Sequence, residues 1–433
     1  MRVIILKEIN LKGLNETIYY DECDNGLKVY MWVNKRVNTF YGTLSVKYGS
    51  IYDEFKVGSK THKVSSGVAH FLEHVKFNEK KDYTAHDFFN KNGCDTNAFT
   101  TFHYTNYQVF GSENPKDNIV HLVDFVQNDY FTKAIVNNEK GIIVEEAKMG
   151  EDDPYTVMLF KHLENIFNKS SYKNIITGKK EEIKKITLDD IKLVFDTFYH
   201  PENMFLIITG NFNPYEVMEA IKENQNSKEF KKFDNPVRVV KNENKKVAKE
   251  YEEININVTN RKIKIGIKIP KKTFKGFDDL HIRIYLSLLL KANFGTTSDF
   301  KDMLLEKELI NSLSCMNEIF DDYVTIMFTI DSNYKEEIIK LFSDKLDNLE
   351  IDENTFNRMK KANIASLILE YEDVECVNSI LQSEILNYGN VLDNLKEIYE
   401  NIKYDDLLKF ISLLNTKERS TLILNPIDIK NKQ

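Results

Sequence analysis

Two histidines and a glutamate stand close together early in the chain, at His70, Glu73 and His74. The spacing i, i+3 and i+4 places the three side chains on one side of an α-helix, with the imidazoles about 40° apart around its axis. Two such imidazoles can bind one metal ion, and the carboxylate can reach a water molecule on that ion. The alternative is the polar edge of an ordinary amphipathic helix. Apolar neighbours favour an internal position, where unpaired polar groups are costly.

A catalytic zinc ion has three protein ligands and keeps a fourth position for water, so this pattern requires a third ligand downstream. Glu139 and Glu146 are the candidates. They are seven residues apart, which is two helical turns, and therefore share one face of a predicted helix, whereas Glu145 points elsewhere. An acidic pair on a helix face can equally be solvated, so the spacing alone leaves both interpretations open.

Four segments of the first half together resemble the pitrilysin or insulinase-type metallopeptidases. They are residues 69–74 (AHFLEH), 97–100 (NAFT), 139–154 and 198–204 (FYHPENM). The likeness is greatest to short bacterial members of the mitochondrial-processing-peptidase type, in which a zinc-bearing subunit accompanies a metal-free relative. The resemblance implies a zinc-dependent endopeptidase that cleaves short or unfolded peptides.

The resemblance also implies a role for each residue of the candidate site. His70, His74 and Glu146 would bind one zinc ion per chain. Glu73 would be the general base that takes a proton from water, and Glu139 would be an assisting acid on the same helix as Glu146.

A substrate-binding strand is implied by the same resemblance, at Asn97, Ala98 and Phe99. The local pattern agrees, because a turn signal precedes a predicted strand over residues 96–101. A peptide would add to this edge strand and bind mainly through its main chain. Phe99 can also be a simple core residue. Phe77, one turn beyond His74, is predicted either to line the pocket beside the scissile bond or to pack in the core.

The second half departs from the family pattern at two positions. Self-sufficient members carry an arginine and, seven residues later, a tyrosine that contact substrate and stabilise the oxyanion. Leu305 and Ser312 occupy these positions here. Tyr323 is the nearest alternative phenol, but two aspartates precede it. We therefore expect a heterodimer in which a metal-free homologous subunit supplies Arg and Tyr.

Strands and helices alternate irregularly along the chain, which favours an α+β fold. The resemblance implies two homologous lobes, each a mostly antiparallel sheet flanked by helices. The predicted domains are a zinc-bearing lobe over residues 1–225, a solvated Lys- and Asn-rich linker over 226–250, and a lobe without a metal site over 251–433. Residues 27–33 and 39–48 are predicted to form a strand pair.

Composition fits a globular protein, with 42% hydrophobic and 29% charged residues. The net charge of −8 predicts no nucleic-acid partner, and no stretch reaches the length of a membrane span. Four cysteines without metal-type spacing are expected to be reduced, which makes the cytoplasm the predicted compartment; they are Cys23, Cys94, Cys315 and Cys376.

Three classes of function remain open on the sequence, the last of which is a metal-binding or regulatory protein without hydrolysis. The first is the zinc endopeptidase described above. The alternative is a non-catalytic structural or regulatory subunit of the same fold, since relatives of this fold form structural cores of respiratory complexes. A complete set of His70, Glu73, His74 and Glu146 favours the peptidase, because a scaffold needs no general base.

Overall fold

The computed structural model describes residues 5–427 and shows an α+β fold, as predicted. The strands are Lys7–Leu11 (β1), Glu16–Glu22 (β2), Lys28–Val33 (β3), Phe40–Val46 (β4), Glu54–Val57 (β5), Lys60–Lys63 (β6), Asn78–Lys80 (β7), Tyr83–Thr84 (β8), Asp95–Thr100 (β9), Thr105–Gly111 (β10), Met204–Gly210 (β11), Val237–Arg238 (β12), Tyr251–Ile256 (β13), Lys262–Pro270 (β14), Ser312–Phe320 (β15), Tyr323–Asp331 (β16) and Arg419–Pro426 (β17).

The helices alternate irregularly with these strands. They are Val68–Lys76 (α1), Ala85–Lys91 (α2), Pro115–Gln127 (α3), Lys133–Asp152 (α4), Pro154–Ile166 (α5), Lys180–Ile183 (α6), Leu188–Phe198 (α7), Pro214–Asn226 (α8), Asp279–Phe294 (α9), Asp299–Glu306 (α10), Lys335–Asp347 (α11), Glu353–Glu370 (α12), Val374–Tyr388 (α13), Leu395–Asn401 (α14) and Tyr404–Leu413 (α15). No helix within residues 5–427 is long and apolar enough to cross a membrane.

The first sheet has the strand order β1-β2-β3-β11-β4-β10-β9. All neighbours are antiparallel except β3 and β11, which run parallel. The predicted pairing of residues 27–33 with 39–48 is therefore wrong, because β11 lies between β3 and β4. Every residue of β11 is buried, and a central position gives such an apolar strand partners on both edges.

The second sheet repeats this arrangement with the order β13-β17-β14-β16-β15. Its single parallel pair is β13 and β17. The late strand β17 lies between β13 and β14, as β11 lies between β3 and β4 in the first sheet. The matching orders confirm two lobes of one α+β topology. In this correspondence β15 occupies the edge position that β9 occupies in the first sheet.

Two compact units are assembled from non-contiguous segments of the chain. Within the described residues 5–427, one unit contains the chain up to residue 147 together with 175–239 and 365–398, and the other contains 148–174, 240–364 and the chain from residue 399 onward. The predicted domain boundaries at residues 225 and 251 stay a prediction, and the compact units include segments from both sides of these boundaries. In the first unit α13 packs on strands β4 and β11, and in the second α5 packs on β14 and β17.

The predicted helix that carries Glu139 and Glu146 is α4, which ends at Asp152, and a second helix, α5, begins at Pro154. Pro154 has no N–H group to continue a helix, and the Asp153 side chain accepts a hydrogen bond of 2.8 Å from the Thr156 N–H. Glu139 and Glu146 therefore both belong to α4, and α5 packs separately, on β14 and β17.

The 226–250 segment, predicted to be a solvated linker, contains one residue of a buried ion pair, which Glu243 forms with Lys268. The Glu243 carboxylate lies 2.9 Å from Nζ of Lys268, and both side chains are almost fully buried. It also accepts hydrogen bonds from the backbone N–H groups of residues 168–170. These charge-assisted bonds explain how a carboxylate is accommodated there.

Candidate metal centre

Helix α1 carries the two histidines and Glu73 in a largely buried setting. His70 and Glu73 are 8% and 7% exposed, and the ring centroids of His70 and His74 are 4.7 Å apart. Valine, phenylalanine and leucine side chains at the other helix positions pack into the core of the first unit. The apolar face of α1 packs against the core, and its polar side places the two imidazole rings next to each other.

The start of α1 depends on a close approach between two glycines. Gly67 has φ of 88°, and a Cβ atom there would lie 2.5 Å from the carbonyl oxygen of Thr177 and 2.8 Å from Cα of Gly178. Gly178 has φ of 84°. Neither the dihedral angle nor the space suits a side chain. This contact fixes the first turn of the helix that carries His70.

Helix α4 brings Glu146 to both histidines. Its Oε1 is 3.5 Å from Nε2 of His70, and its Oε2 is 3.3 Å from Nε2 of His74. Ligand atoms of the three residues lie within 4.8 Å of one another. With metal–ligand bonds of about 2.1 Å, two ligands of a tetrahedral zinc ion are roughly 3.4 Å apart. The three side chains are therefore spaced like ligands of one metal ion.

Glu139 approaches the other ring nitrogen of His74. Its Oε2 lies 3.5 Å from Nδ1 of His74, and the Glu139 side chain is 16% exposed. A carboxylate in this position selects the tautomer in which Nδ1 carries the proton and Nε2 is free to bind metal. Glu139 therefore contacts His74 on the side of the ring away from Glu146, and its assisting role stays a prediction.

The neighbouring side chains favour the ionised form of Glu146 and the protonated form of His74. Hydrogen bonds from His70 and His74 hold the pKa of the Glu146 carboxyl well below its usual range. For His74, burial lowers the pKa, but the hydrogen-bonded carboxylates of Glu139 and Glu146 outweigh it and raise the pKa to about 9. A bound cation would replace that proton.

Glu73 stands beside this cluster and has its own partner. Its Oε2 accepts a hydrogen bond of 2.5 Å from the Thr100 hydroxyl. Burial raises the pKa of the Glu73 carboxyl, while the charges of His70 and His74 and the bond from Thr100 lower it. A carboxylate that is partly desolvated and still hydrogen-bonded is a stronger proton acceptor than one in water.

The predicted substrate strand is β9, and it forms the edge of the first sheet. Its residues alternate in exposure, so that Asn97 and Phe99 face outward and Ala98 is half-buried. Phe99 is 38% exposed and contacts the ring of Tyr104, which makes it a surface residue and excludes the core alternative.

Phe77 forms the C-terminal cap of α1. Its ring stacks on His86 with centroids 4.5 Å apart, and it also contacts Phe125 and Tyr107. These contacts account for a packing role. A position beside the scissile bond stays a prediction.

Thr100 is the residue of the site to which the sequence assigned no role. It belongs to the same NAFT segment as Asn97, and strand alternation places it on the face shared by Thr96 and Ala98. This alternation is the sequence feature from which an inward-facing Thr100 could have been predicted. Its contact with Glu73 joins residues 27 positions apart in the chain and depends on how α1 lies against β9.

Leu305 and Ser312 lie in the second unit, near its edge strand. Leu305 is on α10 and 42% exposed, and Ser312 begins β15 with an exposed side chain. Tyr323 cannot substitute as a free phenol, because it is 8% exposed and its hydroxyl donates a hydrogen bond of 3.0 Å to the Glu243 carbonyl oxygen.

Family comparisons match both halves of the chain. Residues 34–180 match the family described as Insulinase (Peptidase family M16), and residues 185–363 match the Peptidase M16 inactive domain. Among curated relatives, the uncharacterized zinc protease YmfH of Bacillus subtilis is 37% identical over 310 residues, which are 71% of this chain and 72% of YmfH.

Solved structures share the fold over nearly the whole chain. An M16-like peptidase from Alicyclobacillus acidocaldarius aligns with a TM-score of 0.87 and 23% identity, covering 98% of this chain and 99% of that one. A chain of complex III2 from Candida albicans aligns with a TM-score of 0.68 and 16% identity, covering 94% and 95%. The fold therefore occurs both in an M16-like peptidase and in complex III2.

Proposed function

Because the chain belongs to the M16 (insulinase) family of peptidases, we propose that it is a zinc-dependent endopeptidase that cleaves short or unfolded peptides. The observation that carries the proposal is the convergence of His70, His74 and Glu146 beside Glu73. The family contains inactive domains, so membership alone does not decide activity. The retained general base and ligand set do favour it.

The donor set suits zinc better than a hard cation. Two imidazole nitrogens and one carboxylate are the ligands of the thermolysin type of catalytic zinc site, whereas calcium and magnesium are bound almost entirely by oxygen. Bound zinc lowers the pKa of water towards about 7 and polarises the scissile carbonyl group. The proposal is one zinc ion per chain, held by His70, His74 and Glu146.

Two further side chains of this site act on protons. Glu73 accepts a proton from the attacking water and can return it to the leaving amine, which requires a carboxylate that is ionised at rest. The hydrogen bond from Thr100 and the charges of His70 and His74 favour the ionised form of Glu73, whereas burial raises its pKa and makes the carboxylate a stronger base. Glu139 orients the His74 imidazole through Nδ1 and so keeps Nε2 available as a ligand.

The edge strand β9 is the proposed binding site for substrate. No strand of the described chain pairs with its outer edge. An extended peptide can therefore hydrogen bond to the main chain of Asn97, Ala98 and Phe99 as one more strand. Recognition through the main chain tolerates many side chains and excludes folded segments, which predicts unstructured peptides as substrates.

The proposed enzyme includes a partner subunit. Neither Leu305 nor Ser312 supplies a charge or a phenol to a developing oxyanion, and loss of preorganised donors commonly costs about 100- to 1000-fold in rate. A metal-free homologous subunit that supplies an arginine and a tyrosine would restore them. We therefore propose a heterodimer in which this chain is the catalytic subunit. The cytoplasm stays the predicted compartment.

The second candidate function is a non-catalytic structural or regulatory subunit. Its support is the match of residues 185–363 to an inactive domain and the occurrence of the fold in complex III2. Under this alternative, Glu73 contributes nothing measurable.

Glu73→Gln separates the two candidates. The zinc-loaded chain, alone and together with a metal-free homologue, is incubated with a quenched fluorescent library of unstructured peptides, and zinc per chain is measured in parallel. The proposal predicts one zinc in both proteins and turnover that is lost in Glu73→Gln.

Each outcome of this experiment has a separate meaning. Turnover by the chain alone supports the peptidase and contradicts the need for a partner. Turnover that appears only with the homologue supports both parts. Bound zinc without turnover under either condition favours the non-catalytic subunit, and failure to bind zinc contradicts the proposed metal site.

A further inference from the structure

We infer that Thr100 is a positioning residue, whose hydroxyl holds the Glu73 carboxylate in place and ties it to the strand that binds substrate. The inference rests on the proposed function, in which Glu73 is the general base. It adds a residue to that mechanism and a physical link between the base and β9. The carrying observation is the 2.5 Å hydrogen bond from Thr100 Oγ1 to Glu73 Oε2.

Thr100 is the donor of this hydrogen bond, because only its hydroxyl group carries a proton. An ionised carboxylate only accepts hydrogen bonds, so the single hydroxyl proton of Thr100 must point at Glu73. In the described part of the chain no other group donates to that carboxylate. The adjacent Thr105 hydroxyl is not a competitor, because it donates to the Tyr48 carbonyl oxygen at 2.9 Å. Glu73 is therefore restrained through Thr100.

Thr100 is itself held in place by the sheet. It pairs with Thr105 across the antiparallel β9–β10 ladder, and their hydroxyl oxygens are 3.4 Å apart. Threonine is branched at Cβ, which restricts rotation about its first side-chain bond. Thr105 is fully buried, so its side chain cannot move aside. The hydroxyl of Thr100 thus has one well-defined direction.

The same strand carries the proposed substrate contacts. Ala98 lies two residues before Thr100, and the main-chain groups that would bind a peptide belong to this short segment. A general base must be positioned to a fraction of an ångström, and a displacement of about 1 Å can cost about 100-fold in rate. Anchoring Glu73 to β9 fixes the distance between the base and the peptide backbone.

The test uses Thr100→Val and Thr100→Ser in the zinc-loaded full chain. Valine keeps the shape and strand preference of threonine and removes the hydroxyl, whereas serine keeps the hydroxyl. The first readout is the crystal structure of each variant. We expect the Glu73 carboxylate to leave its position in Thr100→Val and to keep it in Thr100→Ser. An unmoved Glu73 in Thr100→Val overturns the inference.

The second readout is peptide turnover under the conditions in which the wild-type chain is active. We expect kcat to fall about 10- to 100-fold in Thr100→Val with KM changed less than about twofold, and Thr100→Ser to restore most of kcat. An equal loss in both variants would indicate packing and would contradict positioning. If Thr100→Val does not fold, Thr100→Ala replaces it.

Thr96→Val is the matched control. Thr96 is on the same face of β9, but its hydroxyl donates to the Gln108 carbonyl oxygen at 2.9 Å. We expect its kcat and its Glu73 conformation to match wild type. The structural readout also separates the two proposals, since a wild-type chain without turnover would contradict the peptidase and still report whether Thr100 orients Glu73.

Discussion

Glu139 and Glu146 reach opposite sides of the same imidazole, with Glu139 3.5 Å from Nδ1 of His74 and Glu146 3.3 Å from its Nε2. Their separation of seven residues, two turns of α4, lets one helix carry both the proposed metal ligand Glu146 and the group that would orient the proposed ligand His74. The two glutamates therefore make different predictions on substitution.

Glu139→Gln is expected to weaken zinc binding by about 10- to 100-fold without abolishing it, because the outer partner of a metal-bound histidine is lost. Competition with a chelator of known affinity measures the change. Glu145→Gln is the control, since Glu145 is exposed on the same helix and outside the ligand cluster. Equal effects of the two substitutions would show that net charge alone is responsible.

Glu146→Gln is expected to weaken zinc binding by more than about 100-fold, since even outer partners of a ligand are worth up to that factor. Metal analysis after dialysis should then find almost no zinc in the variant and one zinc in wild type. Retention of a full equivalent of zinc by Glu146→Gln would remove this residue from the ligand set.

Gly67→Ala is expected to lower the free energy of unfolding by about 1–3 kcal/mol, because alanine is strained at φ of 88° and its Cβ would meet Thr177. Gly141→Ala on α4 is the opposite case. No atom lies within 4 Å of the added Cβ there, so a gain of about 0.5–1 kcal/mol is expected. Urea unfolding of the two variants measures both changes, and destabilisation by Gly141→Ala would contradict the geometry.

Glu384→Gln is expected to change how stability depends on pH. Glu384 is 4% exposed, and burial raises its pKa to about 7, although the hydrogen bond from the Leu392 N–H lowers it. Between the unfolded pKa near 4.5 and the folded pKa near 7, the folded state binds more protons than the unfolded state. Stability therefore falls as pH rises through this window, by up to about 3 kcal/mol.

The glutamine variant keeps the acceptor for Leu392 and cannot ionise, so its stability should not show this fall. Thermal unfolding of both proteins from pH 4.5 to 8 measures the difference. Glu375→Gln, an exposed substitution on the same helix, should leave the wild-type profile unchanged within about 0.5 kcal/mol. A parallel profile for Glu384→Gln would show that Glu384 is not the group responsible.

Local spacing determined much of the candidate site. His70, Glu73 and His74 lie within one and a half turns of a helix, and helical geometry brings them to one side whatever the rest of the chain does. Glu139 and Glu146 follow the same rule on α4. The family motifs then related the two helices, and the structure brings together the residues that they named.

Only the tertiary structure decided which distant segments meet. Periodicity identifies β3, β4 and β11 as strands but does not encode their order, since each can pair with any apolar partner, and β11 takes the central position because both its faces are buried. The exchange of residues 148–174 and 365–398 between the compact units is of the same kind. The hydrogen bond from Thr100 to Glu73 likewise depends on packing between a helix and a strand, which no spacing along the chain specifies.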